Sequence, residues 1–199
     1  YTAARHRSAI RASEEVGRQA AERALRRLGA RQVPTTRVPV IFDPECASGL
    51  LGQLARAASG DSIVKNASYL VGKIGEAIAA ETVTIVDDPT APGALASRPF
   101  DAEGVASRPL TLVDAGRLAG YLLDSRTARR LSMTSTGHAA SDPGSEPVVA
   151  PSNLRIAPGS TSLADMVKGL TRGLLVTDLI GFGVRSEERR VGKECVRLC

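Results

Sequence analysis

Pro39-Val40-Ile41-Phe42-Asp43-Pro44-Glu45-Cys46-Ala47-Ser48-Gly49-Leu50-Leu51-Gly52 is the stretch on which the fold turns. Val40, Ile41 and Phe42 form a short apolar run that reads as a buried strand, and Asp43-Pro44 breaks it and opens a helix. Proline suits a first helical position because its missing N–H would be unpaired there in any case, and Asp43 is a good acceptor for the exposed N–H groups. The product is a strand, a sharp turn and a helix N-terminus.

Upstream, Val16, Ala20 and Ala24 with Ala21, Leu25 and Leu28 lie along one side of a helix between Ser8 and Leu28, which Gly29 ends. Glu14 with Arg18 and Glu22 with Arg26 are spaced as i,i+4 pairs. Downstream, Cys46–Ala58 is a small-residue helix, Gly60-Asp61-Ser62 interrupts it, and Leu70, Val71, Ile74 and Ile78 suggest a second helix over Ala67–Ala79. The period then changes to two. Val83 and Ile85 alternate with Thr82 and Thr84 in a strand that stops at Asp87-Asp88-Pro89, a turn sequence. Leu110–Val113, the hairpin signal Asp114-Ala115-Gly116-Arg117 and Leu118–Leu123 predict two antiparallel strands.

Further along, Ser125–Leu131 reads as a short basic helix and Ser141–Pro151 as a loop. Asn153–Ile156 is a strand, Ser162–Leu170 a helix started by Ser160 or Ser162, and Leu174–Thr177 another strand. Gly181 and Gly183 mark a bend, and Gly181-Phe182-Gly183 lacks the third glycine and the following helix of a dinucleotide fingerprint. The expected fold class is α+β, a largely antiparallel sheet packed with helices. Residues 1–30 carry the leading helix and residues 38–184 the α+β core.

Composition limits the function classes. With 199 residues and 43% apolar content the chain can bury one substantial core, but only 3% is aromatic, which argues against a nucleic-acid stacking platform. The net charge of +5 owes part of its surplus to Arg185–Cys199, where five basic residues meet three acidic ones. The other charges are mixed along helical faces, so neither a nucleic-acid nor a membrane partner is expected. There is no run of eighteen apolar residues and no signal-peptide pattern, and Cys46, Cys195 and Cys199 match no disulfide framework or zinc ribbon. A reducing, cytoplasmic setting fits.

Zinc hydrolysis needs enough Lewis bases to hold the ion and one position left for water. His6 and His138 are the only histidines, in different elements and away from any metallopeptidase helix, so a self-contained zinc peptidase is not expected. Cys46 at a helix start is a nucleophile only if a base lies within hydrogen-bond reach; otherwise it is packing. His138, in Ser135-Thr136-Gly137-His138, reads as a hydrogen-bonded loop residue. Asp87, Asp88, Asp101 and Glu103 supply carboxylates for acid–base work or a hard cation, although a turn at Asp87-Asp88-Pro89 and loop-anchoring bonds at Asp101 and Glu103 explain them as well.

The central stretch, with Asp87–Thr90 (DDPT), Ser97–Val105 (SRPFDAEGV), Ser135–Ala139 (STGHA) and Leu175–Val184 (LVTDLIGFGV), resembles the TldD/PmbA family from about Arg5 to Val184. In the family's peptidase branch the matching helix carries H-E-x-x-x-H followed by Gly-Leu-x-Gly. Anchoring on Gly49–Gly52 puts Asp43 and Ser48 where the histidines would be and Pro44 where the glutamate would be. The chain therefore resembles the PmbA (TldE) branch, which lacks the metal site. The resemblance implies a non-catalytic subunit without a cofactor of its own. Its partner would be a TldD-like catalytic subunit that carries the zinc, and its substrate extended peptide.

Asp101, Glu103, Gly104 and His138, in the best-defined signatures after the central turn, are the candidate cleft or partner-binding residues. Two other readings stay open: an independent hydrolase using carboxylates or Cys46, and a module that adds a peptide to an open sheet edge. Residues 185–199 match none of the family pattern and are expected to be foreign to the domain.

Overall fold

The computed structural model describes residues 1–179 and 197–198, and the chain divides into two units. The first comprises Tyr1–Thr2, Ile10–Gln53 and Gly159 onward; the second comprises Ala3–Ala9 and Leu54–Pro158.

In the first unit, helix α1 (Ser13–Arg26) has Glu14 and Glu15 in its first turn and Arg23 and Arg26 in its last, the arrangement that suits the helix dipole. Its apolar side is present but uncovered: no residue is buried, and Leu25 and Leu28 are 64% and 74% exposed. Among the described residues the ion pair within the helix joins Arg18 to Glu22 at 2.8 Å instead of the two expected pairs, and Arg23 pairs with Glu45 beyond it. Exposed pairs of this kind differ by only tenths of a kcal/mol, so spacing alone does not choose among them.

Strand β1 (Val40–Phe42) pairs in parallel with β8 (Leu174–Val176). Among the described residues it lies at the edge of its sheet, and it is buried only in part: Ile41 is half-buried, while Val40 and Phe42, on the other face, are 44% and 37% exposed. Asp43 N–H continues the ladder to the Val176 carbonyl at 2.9 Å, and helix α2 (Pro44–Ala57) then starts as expected. Helix α5 (Leu163–Lys168) is capped by the Ser162 hydroxyl, which accepts from Asp165 N–H. The pair β9 (Arg197–Leu198) lies antiparallel to β8. Gly181, Gly183 and the rest of residues 185–199 lie outside the described residues.

The second unit holds an antiparallel sheet in the order β4-β3-β2-β7, formed by β2 (Ile85–Asp87), β3 (Leu110–Asp114), β4 (Arg117–Leu118) and β7 (Leu154–Ile156). Ala115 and Gly116, with φ of 42° and 80°, make the tight turn that Asp114–Arg117 predicts. The returning strand is shorter than expected. After Leu118 the chain leaves the ladder, and Leu122 exchanges hydrogen bonds with Ala58 and Gly60, which buries Leu118, Leu122 and Leu123 completely. Leu70, Leu112 and Val113 complete this core. A small hairpin of β5 (Ala139–Ala140) and β6 (Val148–Val149) occupies part of what reads as a loop.

Two helix expectations are corrected here. Gly60-Asp61-Ser62 does not interrupt; it opens α3 (Gly60–Val64), because the Ser59 hydroxyl accepts from Ser62 N–H and caps the new helix. The helix expected over residues 67–79 is absent: the segment is a run of turns, with Gly72 and Gly75 at φ of 72° and 87°. Its N–H groups go elsewhere, Gly75 to the Leu118 carbonyl and Ile78 and Ala79 to the Gly116 carbonyl. Backbone pairing to the hairpin wins over local helical periodicity, leaving Val71 and Ile74 exposed. Among the described residues no helix is long and apolar enough to cross a membrane.

Candidate functional site

The second unit brings the signatures around Asp87, Asp101 and His138 together. Ile85 and Asp87 share one face of β2, so the residue that reads as a turn is instead a carboxylate delivered into the core, with no exposed surface. The turn comes one residue later, where Asp88 Oδ1 accepts from Thr90 N–H at 2.9 Å and from its hydroxyl at 2.7 Å.

Asp87 Oδ2 lies 2.9 Å from His138 Nε2, and His138 Nδ1 lies 2.8 Å from Thr136 Oγ1. Because the carboxylate can only accept, Nε2 carries a proton and donates it to Asp87. Ser152 closes the other side of Asp87: its N–H reaches both carboxylate oxygens at 3.0 Å and its hydroxyl donates at 2.6 Å.

The neighbouring loop is tied to the same segment. Asp101 Oδ1 accepts from Glu103 and Val105 N–H, both at 2.9 Å, and Oδ2 accepts from Ala139 N–H at 3.1 Å. Glu103 Oε2 accepts from Ser125 N–H at 2.8 Å, at the start of helix α4 (Ser125–Arg130), which Asp124 caps. Gly104, at φ 80°, closes the turn by donating to the Asp101 carbonyl. Arg108 donates to the Ser135 carbonyl at 3.1 Å, holding the strand of residues that precedes His138.

The line Asp87, His138, Thr136 has the order of a carboxylate–imidazole–hydroxyl relay. Its geometry is that of a tie: His138 is 1% exposed, and Thr136 Oγ1 also accepts from Leu123 N–H at 2.7 Å, so the hydroxyl is held by backbone and ring together. Burial is the largest influence on the Asp87 carboxyl and pushes it up. The bonds from His138, from the Ser152 hydroxyl and from the Ser152 N–H together outweigh it and hold the group below the usual carboxylate range.

The sign of the pH dependence follows. A folded value below the unfolded one means that the unfolded chain binds the extra proton, so this contribution is complete above about pH 4 and is lost as pH falls through the depressed value. Urea melts taken between about pH 2 and about pH 6 should show an acid-side loss that Asp87→Asn removes.

Of the sequence-derived site residues, Asp101, Glu103, Gly104 and His138 are brought together, with Asp101 and His138 buried and Glu103 and Gly104 on the surface. Asp87, which the sequence offers both as a candidate carboxylate and as a turn residue, completes the cluster with Thr136 and Ser152. The signal for Asp87 was its even spacing from Ile85 on an alternating strand.

Asp43, Pro44 and Ser48 are spent on building α2. Asp43 Oδ1 accepts from Glu45 N–H at 3.0 Å, Pro44 is the first helical residue, and the Ser48 hydroxyl donates to the Glu45 carbonyl at 2.6 Å. Burial, then Asp178 and Asp43, push the Cys46 thiol up, away from the thiolate a nucleophile needs. Both nitrogens of His138 are already engaged. Among the described residues no three His, Cys, Asp or Glu side chains gather as a metal site.

Residues 35–192 match the model of the PmbA/TldA metallopeptidase C-terminal domain. The metalloprotease PmbA of Escherichia coli O157:H7 is 38% identical over 184 residues, 92% of this chain and 39% of that protein. A metalloprotease of Methanothermobacter thermautotrophicus is 38% identical over 81% of the chain and 36% of its own length. Among solved structures, TldE of Thermococcus kodakarensis aligns with a TM-score of 0.72 at 34% identity, covering 83% of this chain and 39% of that one. A Thermotoga maritima protein described as a candidate modulator of a DNA gyrase aligns with a TM-score of 0.81 at 31% identity, over 89% of this chain and 40% of that one. The chain thus spans about two fifths of the length of the relatives it matches.

Proposed function

The chain belongs to the PmbA/TldA metallopeptidase C-terminal domain family, and from that premise we propose that it is part of a non-catalytic, TldE-like subunit acting with a zinc-bearing TldD-like partner on peptides in the cytoplasm. The observation that carries this reading is the occupation of α2. Its first turns hold an Asp cap, a proline and a serine bonded to its own helix, at the positions that the family resemblance sets against the peptidase branch's two histidines and glutamate.

This donor set does not fit zinc. Catalytic zinc takes about three protein ligands, usually with histidine among them, whereas α2 offers a capping carboxylate, a hydroxyl and a buried thiol raised by its surroundings. No hydrolytic step is therefore derived through a metal on this chain. The membership of the family supports a peptidase-related role, and the pairing with a metal-bearing relative is the part to be tested.

The test is co-purification of the protein with a TldD-like relative, with elemental analysis of each and peptide cleavage by each alone and by both. The expected result is no stoichiometric zinc on this chain and cleavage only when the relative is present. One tightly held zinc per chain, or cleavage without the relative, overturns the reading.

A further inference from the structure

A cavity of about 400 Å³ opens in the second unit where α3 and α4 end, a volume within the roughly 300–1,000 Å³ typical of small-ligand sites. Its buried base is Ile63 and Tyr121, and the tyrosine hydroxyl is fixed by donating to the Leu70 carbonyl at 2.7 Å and accepting from Gly72 N–H at 3.1 Å. Val71, Ile74, Leu131 and Met133 add apolar surface, and three of them, Val71, Ile74 and Met133, are 37%, 44% and 40% exposed. Val71 and Ile74 belong to the 67–79 segment, which forms turns and not the expected helix. The polar groups at the cavity are Asn66 and Arg130.

Two further observations give this cavity a charge preference. Among the described residues only three non-glycine residues have left-handed φ, and two of them, Asn66 at 51° and Ser132 at 55°, frame it. Each closes its helix with a pair of cap bonds: Asn66 and Ala67 N–H to the Ile63 and Ser62 carbonyls, Ser132 and Met133 N–H to the Arg129 and Ala128 carbonyls. The carbonyls of Ser62, Ile63, Ala128 and Arg129 are therefore paired and are not open to a cation. Arg130 is in no ion pair among the described residues, no lining residue is acidic, and the Asn66 amide makes no side-chain hydrogen bond there. An apolar cavity with one unopposed guanidinium and one free amide complements an apolar group that carries a carboxylate beside a peptide bond.

We propose that this cavity binds the C-terminal residue of a peptide, its apolar side chain against Tyr121, Val71 and Leu131 and its α-carboxylate on Arg130. The assignment rests on the peptide part of the proposed function and not on its metal or partner parts. The guanidinium supplies the only charge-assisted contact, so a free terminus and an amidated one differ in just that interaction.

The test is fluorescence anisotropy of the full chain with a labelled pentapeptide ending in leucine, as free acid and as amide, and with octanoate as a competitor. The free acid is expected to bind about tenfold more tightly than the amide, and Arg130→Gln, at an exposed position, is expected to abolish that difference while circular dichroism stays unchanged. Replacing the terminal leucine by aspartate should weaken binding by a similar factor. Equal binding of acid and amide, acid selectivity that survives Arg130→Gln, or no saturable binding of the peptide overturns the proposal. Displacement by octanoate as effective as by unlabelled peptide overturns the peptide assignment. Loss of peptide binding with partner-dependent cleavage intact condemns this site alone, whereas selective binding by a chain that also holds zinc condemns the proposed function alone.

Discussion

His138→Ala is expected to destabilise the second unit by about 3–5 kcal/mol, the range for removing one partner of a buried, hydrogen-bonded ionisable pair. The imidazole and the Asp87 carboxylate are 1% and 0% exposed, and their bond is 2.9 Å long. Without the ring, Asp87 keeps only its bonds from Ser152 to oppose burial, the largest single influence on it. The substitution also opens a cavity between β2 and the loop that Asp101 ties to Ala139.

The pH dependence separates this account from simple loss of volume. In the parent chain the depressed Asp87 value makes stability rise with pH through the acid range. In His138→Ala the carboxyl loses its largest stabilising bond and is held down less, so less of that rise remains and the variant should be least impaired in acid. His138→Gln, which retains a donor, should recover part of the loss. Equal losses at all pH values would show that only packing was removed.

The parts of the structure legible in the sequence are those decided by short-range chemistry. Asp43-Pro44 marked the start of α2, Ser160 or Ser162 that of α5, where Ser162 is the cap, and Asp114–Arg117 the hairpin, because a cap or a left-handed turn depends on residues within two or three positions. The resemblance extended this to the family and to the loop around Asp101. What was not legible depends on partners far along the chain. Asp87 is 51 residues from His138 and 65 from Ser152, and a carboxylate at the end of an alternating strand reads equally well as a solvated turn until its partners are placed. The helical periodicity of Leu70, Val71, Ile74 and Ile78 was real, but it competed with hairpin carbonyls about forty residues away. The exposure of Val40 and Phe42, one face of β1, depends on what packs against that face, which a short apolar run does not encode.

That competition can be tested at Gly116, where substitution by alanine is expected to cost about 2–5 kcal/mol, the sum of about 1–2 for a left-handed Cβ and about 1–3 for forced displacement of packed atoms. Gly116 has φ of 80°, and a Cβ there would lie 2.5 Å from the Ala79 carbonyl oxygen and 2.7 Å from that of Ala80. Those obstacles are backbone, so no rotamer change relieves them. Its own carbonyl accepts from Ile78 and Ala79 N–H, and its N–H donates to the Val83 carbonyl. The glycine is thus the point against which residues 78–83 are laid, and pushing them away would free the N–H groups that keep the 67–79 segment from becoming a helix. Gly93→Ala is the control: φ is 71°, but a Cβ meets nothing within 4 Å, so only the conformational part of about 1–2 kcal/mol should be lost. Urea melts of the two variants should differ by the steric part alone, and amide exchange should speed up at Ile78 and Ala79 only in Gly116→Ala. Equal losses in the two variants, with Ile78 and Ala79 still protected, would mean that the segment is held by its own turns and not by the hairpin.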